Sequence, residues 1–295
     1  MTSTPPRNIN PWPVFAVWAL LSLLLFWKPV FGLFQLASQD DTASHIVLVP
    51  FISAWLLWTE RKLPKPQDAF ELWPAAPFFL ASALTAILSL NCGLCGARNR
   101  LSGYALSLVL LLIAGFVFTL GSAAAKSSWF ALAFLLFAVP IPEVLLQRTI
   151  YWLQAGSAAI AEFLFNLSGV PVLRQGFVFR LPKISIEVAQ ECSGIRSSLA
   201  LLILAVLVAH FSFRPMWKKV AFVAAGLGMM LVKNGVRIAT LTLLANYVNP
   251  AFLTGNLHHR GGVVFFLIGL ALLLPVYWLL RRGEARTASL VTQQG

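Results

Sequence analysis

One cysteine, one arginine and a pair of histidines are spaced through the second half of this sequence so that they could share a reaction. Cys192 lies in "ECSGIRSS", directly ahead of a long apolar run. Arg237 lies in "KNGVRIATL", and His258 and His259 lie in "GNLHHRGG". A thiol becomes a strong nucleophile as the thiolate, a form favoured by a nearby His⁺, Arg⁺ or helix N-terminus. A histidine can carry the proton to a leaving amine. An arginine can hold the thiolate or stabilise the oxyanion of a tetrahedral intermediate. Together these groups suit acyl transfer. Each also has a plainer reading: a cysteine beside an apolar helix as a small buried hydrophobe, an arginine reaching for the membrane interface, and histidines in a surface loop.

Other residues carry weaker signals. Cys92 and Cys95 form a CxxC in "NCGLCG", which could be a redox pair, a local disulfide or two idle thiols. No second CxxC follows, so zinc is not expected. Glu191 and Ser193 flank Cys192 as supporting candidates, but Ser193 lacks the GxSxG context of a serine nucleophile. His45, in "DDTASHIVLVP", is a further supporting candidate at the start of an apolar run. There is no phosphate loop, no HExxH and no internal repeat.

The elements that must position these residues are membrane helices. The chain has 295 residues, 59% of them hydrophobic and 11% charged. A soluble domain carries about 25% charge, and one soluble core cannot enclose this much apolar surface. The net charge of +12 is dispersed in short clusters between apolar runs. That pattern sets topology rather than binding nucleic acid. The first apolar run has no clear cleavage site after it, so no cleavable signal peptide is expected.

Spans of about 20 apolar residues are expected at 13–36, 45–60, 72–91, 101–121, 126–145, 193–213, 217–247 and 262–280. The expected fold is therefore all-α and polytopic, about eight spans in one integral-membrane domain over 1–295. Residues 1–10 form a cytoplasmic arm, and 283–295 form a disordered cytoplasmic tail. The basic clusters "TERKLPKPQ", "FRPMWKK" and "RRGEAR" belong inside and "SQDDTAS" outside, with "ARNR" the one dissenting cluster. Residues 150–168 hold Gln154, Glu162 and Asn166 and are read as an amphipathic helix on or dipping into the outer surface. Two short alternating runs between 171 and 190, joined by "LPK", predict an extracytoplasmic β-hairpin ahead of Cys192. Eighteen residues separate Lys219 from Arg237, roughly 27 Å of helix. Cys192, Arg237 and the histidines then converge on one outer face, from three consecutive spans.

These residues resemble the exosortase/archaeosortase family of membrane transpeptidases. "ECSGIRS" resembles its nucleophile motif, with Cys192 in the cysteine position. "NGVRIA" resembles its N-x-x-R motif, giving Asn234 and Arg237. "HHRGGVVFF" resembles its His-x-x-x-Gly motif, with His258 as the histidine, His259 beside it as the alternative, and Val263 where a tryptophan is common. "SHIVLVPFISAWLLW", "FAVPIPEVLLQ" and "GVPVLRQGFVFRLP" also resemble family text. The resemblance implies an integral-membrane cysteine protease or transpeptidase that cuts near the outer membrane surface and needs no cofactor or metal; the basic clusters put both termini in the cytoplasm and the site outward, facing the periplasm or exterior of a cell inner membrane. It implies membrane-anchored substrates with a C-terminal sorting signal: a Pro-Glu-Pro-type motif, a transmembrane helix and a basic tail. The product would pass to an acceptor nucleophile that the sequence does not identify. Two other classes compete. One is a quinone-linked thiol-disulfide oxidoreductase using Cys92 and Cys95, and the other is a transporter or scaffold without covalent chemistry.

Overall fold

The computed structural model describes residues 10–40, 42–59, 70–93, 95–188, 194–253 and 262–292, the last ten as backbone. The chain divides into two compact units, 1–146 and 147–295.

In the first unit, α1 (Pro11–Leu25) and α2 (Trp27–Gln39) meet at a 75° bend. Pro29 lacks the N–H that would bond Leu25, and its ring would clash with that carbonyl, so one helix cannot run through. A short α3 (Val49–Thr59) follows a series of turns. It is too short to cross a hydrocarbon core by itself. Next come α4 (Leu72–Asn91) and α5 (Ala97–Ser127), the latter kinked at Gly121. Helix α6 (Trp129–Phe134) passes into a 3₁₀ turn, Leu135–Ala138. The core gathers Ala75, Val109, Phe116, Val117, Leu120 and Leu132 around α5. Buried Ser82 and Ser107 tie α4 to α5, Ser82 donating to the Ser107 carbonyl at 2.8 Å. Small polar pairs of this kind let membrane helices approach closely.

Arg98 gathers three loops at one end of this unit. Its guanidinium donates to the Asp40 carboxylate, to Thr42 Oγ1 at 2.9 Å and to the Ile141 carbonyl at 3.0 Å. Next to it, Asn99 Oδ1 accepts from the Glu143 amide at 2.7 Å. "SQDDTAS", "ARNR" and "PIPE" therefore share one end, as the topology argument expects. The dissent of "ARNR" has a local cause: Arg98 is held by Asp40. At the opposite end Glu71 accepts from the Ser122 amide at 2.8 Å, close in sequence to Lys126.

Helix α7 (Glu143–Leu167) leads into the second unit. It follows the 129–138 helix at a 90° bend, across Pro140 and Pro142. Ile150, Gln154, Ser157, Ala158, Ala161 and Phe165 are buried at helical spacing, while Trp152, Phe163 and Leu167 are exposed. Buried polar groups and an exposed apolar face suit a helix bathed in lipid, where polar atoms must find protein partners.

Three strands follow, β1 (Leu173–Gln175), β2 (Val178–Arg180) and β3 (Ser185–Glu187), paired antiparallel in that order. The expected hairpin is β2–β3, in register with Phe179 opposite Ile186. Strand β1 makes it a three-stranded meander. Its inner face, Phe179 with Leu181 and Val188, packs on Ala158, Ala161 and Phe165 of α7.

Helices α8 (Ile195–Ser212), α9 (Met216–Tyr247) and α10 (Gly262–Thr292) complete the unit. They enclose Leu201, Ala205, Ala209, Phe213, Phe222, Met230 and Leu273. Lys218 donates to the Leu280 carbonyl at 2.8 Å, so the basic ends of α9 and α10 coincide. Helix α10 continues to Thr292 where a disordered tail is expected, because "EARTASLV" contains no strong helix breaker.

Among the described residues five helices are long and apolar enough to cross a membrane: α4, α5, α8, α9 and α10 up to Arg282. Counting each bent pair as one span gives up to seven. The protein is an all-α polytopic membrane protein with a small sheet, and its described residues contain five to seven of the eight spans expected.

Candidate active site

The end of the second unit opposite Lys218 holds the described part of the candidate site. Glu191, Cys192, Ser193, His258 and His259 lie outside the described residues. The chain is described again from Gly194, two residues after Cys192. Gly194 caps α8 in the left-handed conformation, φ 66° and ψ 24°, which a Cβ would strain. A Cβ there would also fall 2.8 Å from Asn234 Oδ1 and 3.5 Å from Lys233 Nζ. The glycine thus lets the turn after the cysteine lie against the N-x-x-R segment of α9.

Asn234 is 1% exposed, and its amide donates to Ser157 Oγ of α7 at 3.1 Å. The next residue, Gly235, allows that approach. A Cβ on it would fall 2.6 Å from Ile160 Cγ2 and 3.1 Å from the Ser157 carbonyl. Arg237 is partly buried one turn further along α9. Gln154 of α7 is buried and donates to the Val188 carbonyl, anchoring the last described residue before the cysteine segment. Glu162 of α7 holds Arg174 of β1 at 2.8 Å. The Lys183 amide, in the β2–β3 turn, donates to Asn246 Oδ1 at 3.3 Å. Helix α7, the sheet and the second half of α9 therefore form one frame that holds Val188 at the end of the sheet and Gly194 at the start of α8.

The structure brings Asn234 to the start of α8, and Arg237 stands one turn further along α9. His45 belongs to the first unit, in the turns before α3, with its ring hydrogen-bonded to the Phe137 backbone. Cys92 and Cys95 also belong to the first unit and are joined as a disulfide, Cα–Cα 5.2 Å, an ordinary separation for such a bond. It closes the short turn between α4 and α5. Among the described residues no group of three or more His, Cys, Asp or Glu could hold a metal ion.

One residue escaped the sequence reading. Lys233 is 2% exposed and donates to Ser197 Oγ in the first turn of α8. The sequence does carry its signal: an ionisable residue inside a span is functional by default, and Lys233 lies within the apolar run 217–247. Lys233 thus reaches the N-terminal turn of α8 through Ser197, with Arg237 one helical turn further along α9. Such a site favours an anion, whether a thiolate or a developing oxyanion.

A model of the transmembrane exosortase family matches residues 37–275, a range that includes Cys192, Asn234, Arg237 and His258. No curated protein and no solved structure matches the chain.

Proposed function

The chain belongs to the transmembrane exosortase family, and from that premise we propose that it is a cysteine transpeptidase cutting C-terminal sorting signals. Cys192 attacks the scissile carbonyl, His258 moves the proton to the leaving amine, and Arg237 stabilises the charge that develops. His259, Asn234, Glu191, Ser193 and His45 are supporting candidates. The observation that carries the reading is the approach of Gly194 to Asn234. It joins the cysteine motif to the N-x-x-R motif through groups far apart in sequence.

In this reading the substrate is a membrane-anchored protein with a Pro-Glu-Pro-type motif, a helix and a basic tail. Its helix docks from lipid, so confinement to the bilayer supplies part of the positioning that lowers the barrier. The enzyme lies in the inner membrane with the site outward and both termini cytoplasmic. Eight crossings follow if α3 and the turns before it cross together, beside the five long helices and the two bent pairs.

The test is co-expression with a tagged substrate bearing such a signal, followed by blot. Wild type should yield a shortened product and Cys192→Ala none, and mass spectrometry of the new terminus would identify the acceptor. Processing by Cys192→Ala would remove the cysteine from this role. The Cys92–Cys95 disulfide favours a second reading, a quinone-linked thiol oxidoreductase. That reading requires Cys92→Ser to abolish activity and Cys192→Ala to retain it.

A further inference from the structure

Helices α8, α9 and α10 meet in a basic rim at the Lys218 end of the second unit. Lys218 is buried, and its ammonium donates to the Leu280 carbonyl at 2.8 Å, which holds the start of α9 against α10. An aromatic trio beside that bond ties in the end of α8. The Phe213 ring lies 5.4 Å from Phe222 and 5.7 Å from Tyr277, centroid to centroid. Arg214 follows Phe213 in sequence and Lys219 follows Lys218, so both belong to this junction. Arg281 and Arg282 end the apolar stretch of α10 directly after Leu280. Both are laid on rings. Arg281 stands 5.7 Å from the Tyr277 centroid and donates to its hydroxyl at 2.9 Å, and Arg282 stands 5.0 Å from the Trp278 centroid. A ring contact holds a guanidinium in place while N–H groups of its planar fork remain for an oxyanion.

The segments that present these cations supply no carboxylate. The sequence holds no Asp or Glu between Glu191 and Glu284. Helices α8 and α9 and the apolar stretch of α10 therefore offer Arg214, Lys218, Lys219, Arg281 and Arg282 no acidic side chain. Beside the cations the surface is apolar: Met216, Trp217, Val220, Trp278 and Leu279 are all exposed. Clustered cations at the end of membrane helices, bordered by an apolar face, match an anionic phospholipid. Its phosphate would meet the cations, where Arg can bond two oxygens at once, and its acyl chains would cover the apolar side chains. A soluble anion would use the cations alone.

We propose that this rim is a binding site for anionic phospholipid: Arg214, Lys219, Arg281 and Arg282 take the headgroup, and the chains lie along Trp217, Trp278 and Leu279. The proposal depends neither on the cleavage chemistry nor on which side of the membrane this end faces. A basic rim that only fixes orientation during insertion predicts no preference among lipids once the protein is folded.

The experiment is native mass spectrometry of the full-length protein, released from micelles that hold phosphatidylglycerol and phosphatidylcholine in equal amounts. Wild type should retain phosphatidylglycerol at least about tenfold over phosphatidylcholine, the scale of attraction of two basic residues for an anionic lipid surface. Arg281→Gln with Arg282→Gln should remove most of that preference. Arg180→Gln with Lys183→Gln takes the same charge from exposed positions at the sheet end of the unit and should leave the preference intact. Excess inorganic phosphate should not displace the bound lipid. Equal retention of the two lipids by wild type would overturn the proposal. So would an equal loss in the Arg180→Gln, Lys183→Gln protein, which would mark an effect of net charge. Displacement by phosphate would assign the rim to a soluble anion and overturn the lipid assignment. If the Arg281→Gln, Arg282→Gln protein does not accumulate, Arg214→Gln with Lys219→Gln decides, since neither side chain is buried, and a wild-type preference in that pair would overturn the proposal.

Discussion

Asn234 and Ser157 show how single buried polar atoms hold the candidate site. Their hydrogen bond joins α9 to α7 at 3.1 Å, away from water. Removing one partner leaves the other to bear its desolvation, so Ser157→Ala should cost about 1–3 kcal/mol. Thermal unfolding in detergent would register that loss, with Ser168→Ala, at an exposed serine, as the unaffected control. Gly235→Val tests close approach instead of bonding. Its side chain would collide with Ile160 and the Ser157 carbonyl, an overpacking that costs about 1–3 kcal/mol or more. Low abundance of the variant on a membrane blot is the expected result.

Between elements, the Arg98 junction is the clearest tie. Burial pushes the Asp40 carboxyl upward, but hydrogen bonds from Thr42 and the Arg98 guanidinium outweigh it and hold Asp40 below its ordinary value. A carboxylate lowered in the folded state adds stability that is full above its unfolded pKa of about 3.9. That stability disappears as the pH falls through the folded value. The melting temperature should therefore fall on acidification from about pH 5 to 3, and Asp40→Asn should make that fall shallower. An unchanged acid limb in the variant would count against the junction. In the second unit, Gln154 plays a comparable part. Gln154→Leu removes the donor to the Val188 carbonyl and should speed amide exchange in β3, read by hydrogen–deuterium exchange.

At the scale of the whole molecule, charge placement and internal contacts agree on which loops share a side. Lys218 meets Leu280 at one end of the second unit, and Lys183 meets Asn246 at the other. The two ends must therefore face opposite sides of a membrane. Substituted-cysteine labelling on a Cys92→Ser, Cys95→Ser background tests this directly. Lys183→Cys should react with an impermeant maleimide in intact cells, and Trp217→Cys only after permeabilisation. The reverse pattern would invert the orientation, and with it the side on which Cys192 lies.

Apolar run length and the placement of arginine and lysine already determined that this chain crosses a membrane many times. They also marked which loops keep company, because both signals are local and follow from the transfer energy of short segments. The alternation around Phe179 and Ile186 likewise announced a hairpin. The motif residues Cys192, Asn234, Arg237 and His258 stand out in the sequence as candidates, and of these the structure describes Asn234 and Arg237. The bends at Phe26 and across Pro140–Pro142 were harder to read, since hydropathy is blind to backbone direction. The inward polar face of α7 and the buried Lys233 depended on contacts over 36 residues or more, such as Lys233 with Ser197 and Asn234 with Ser157. Only tertiary packing decides such pairs, because the partner that makes a buried polar group tolerable arrives from a distant helix.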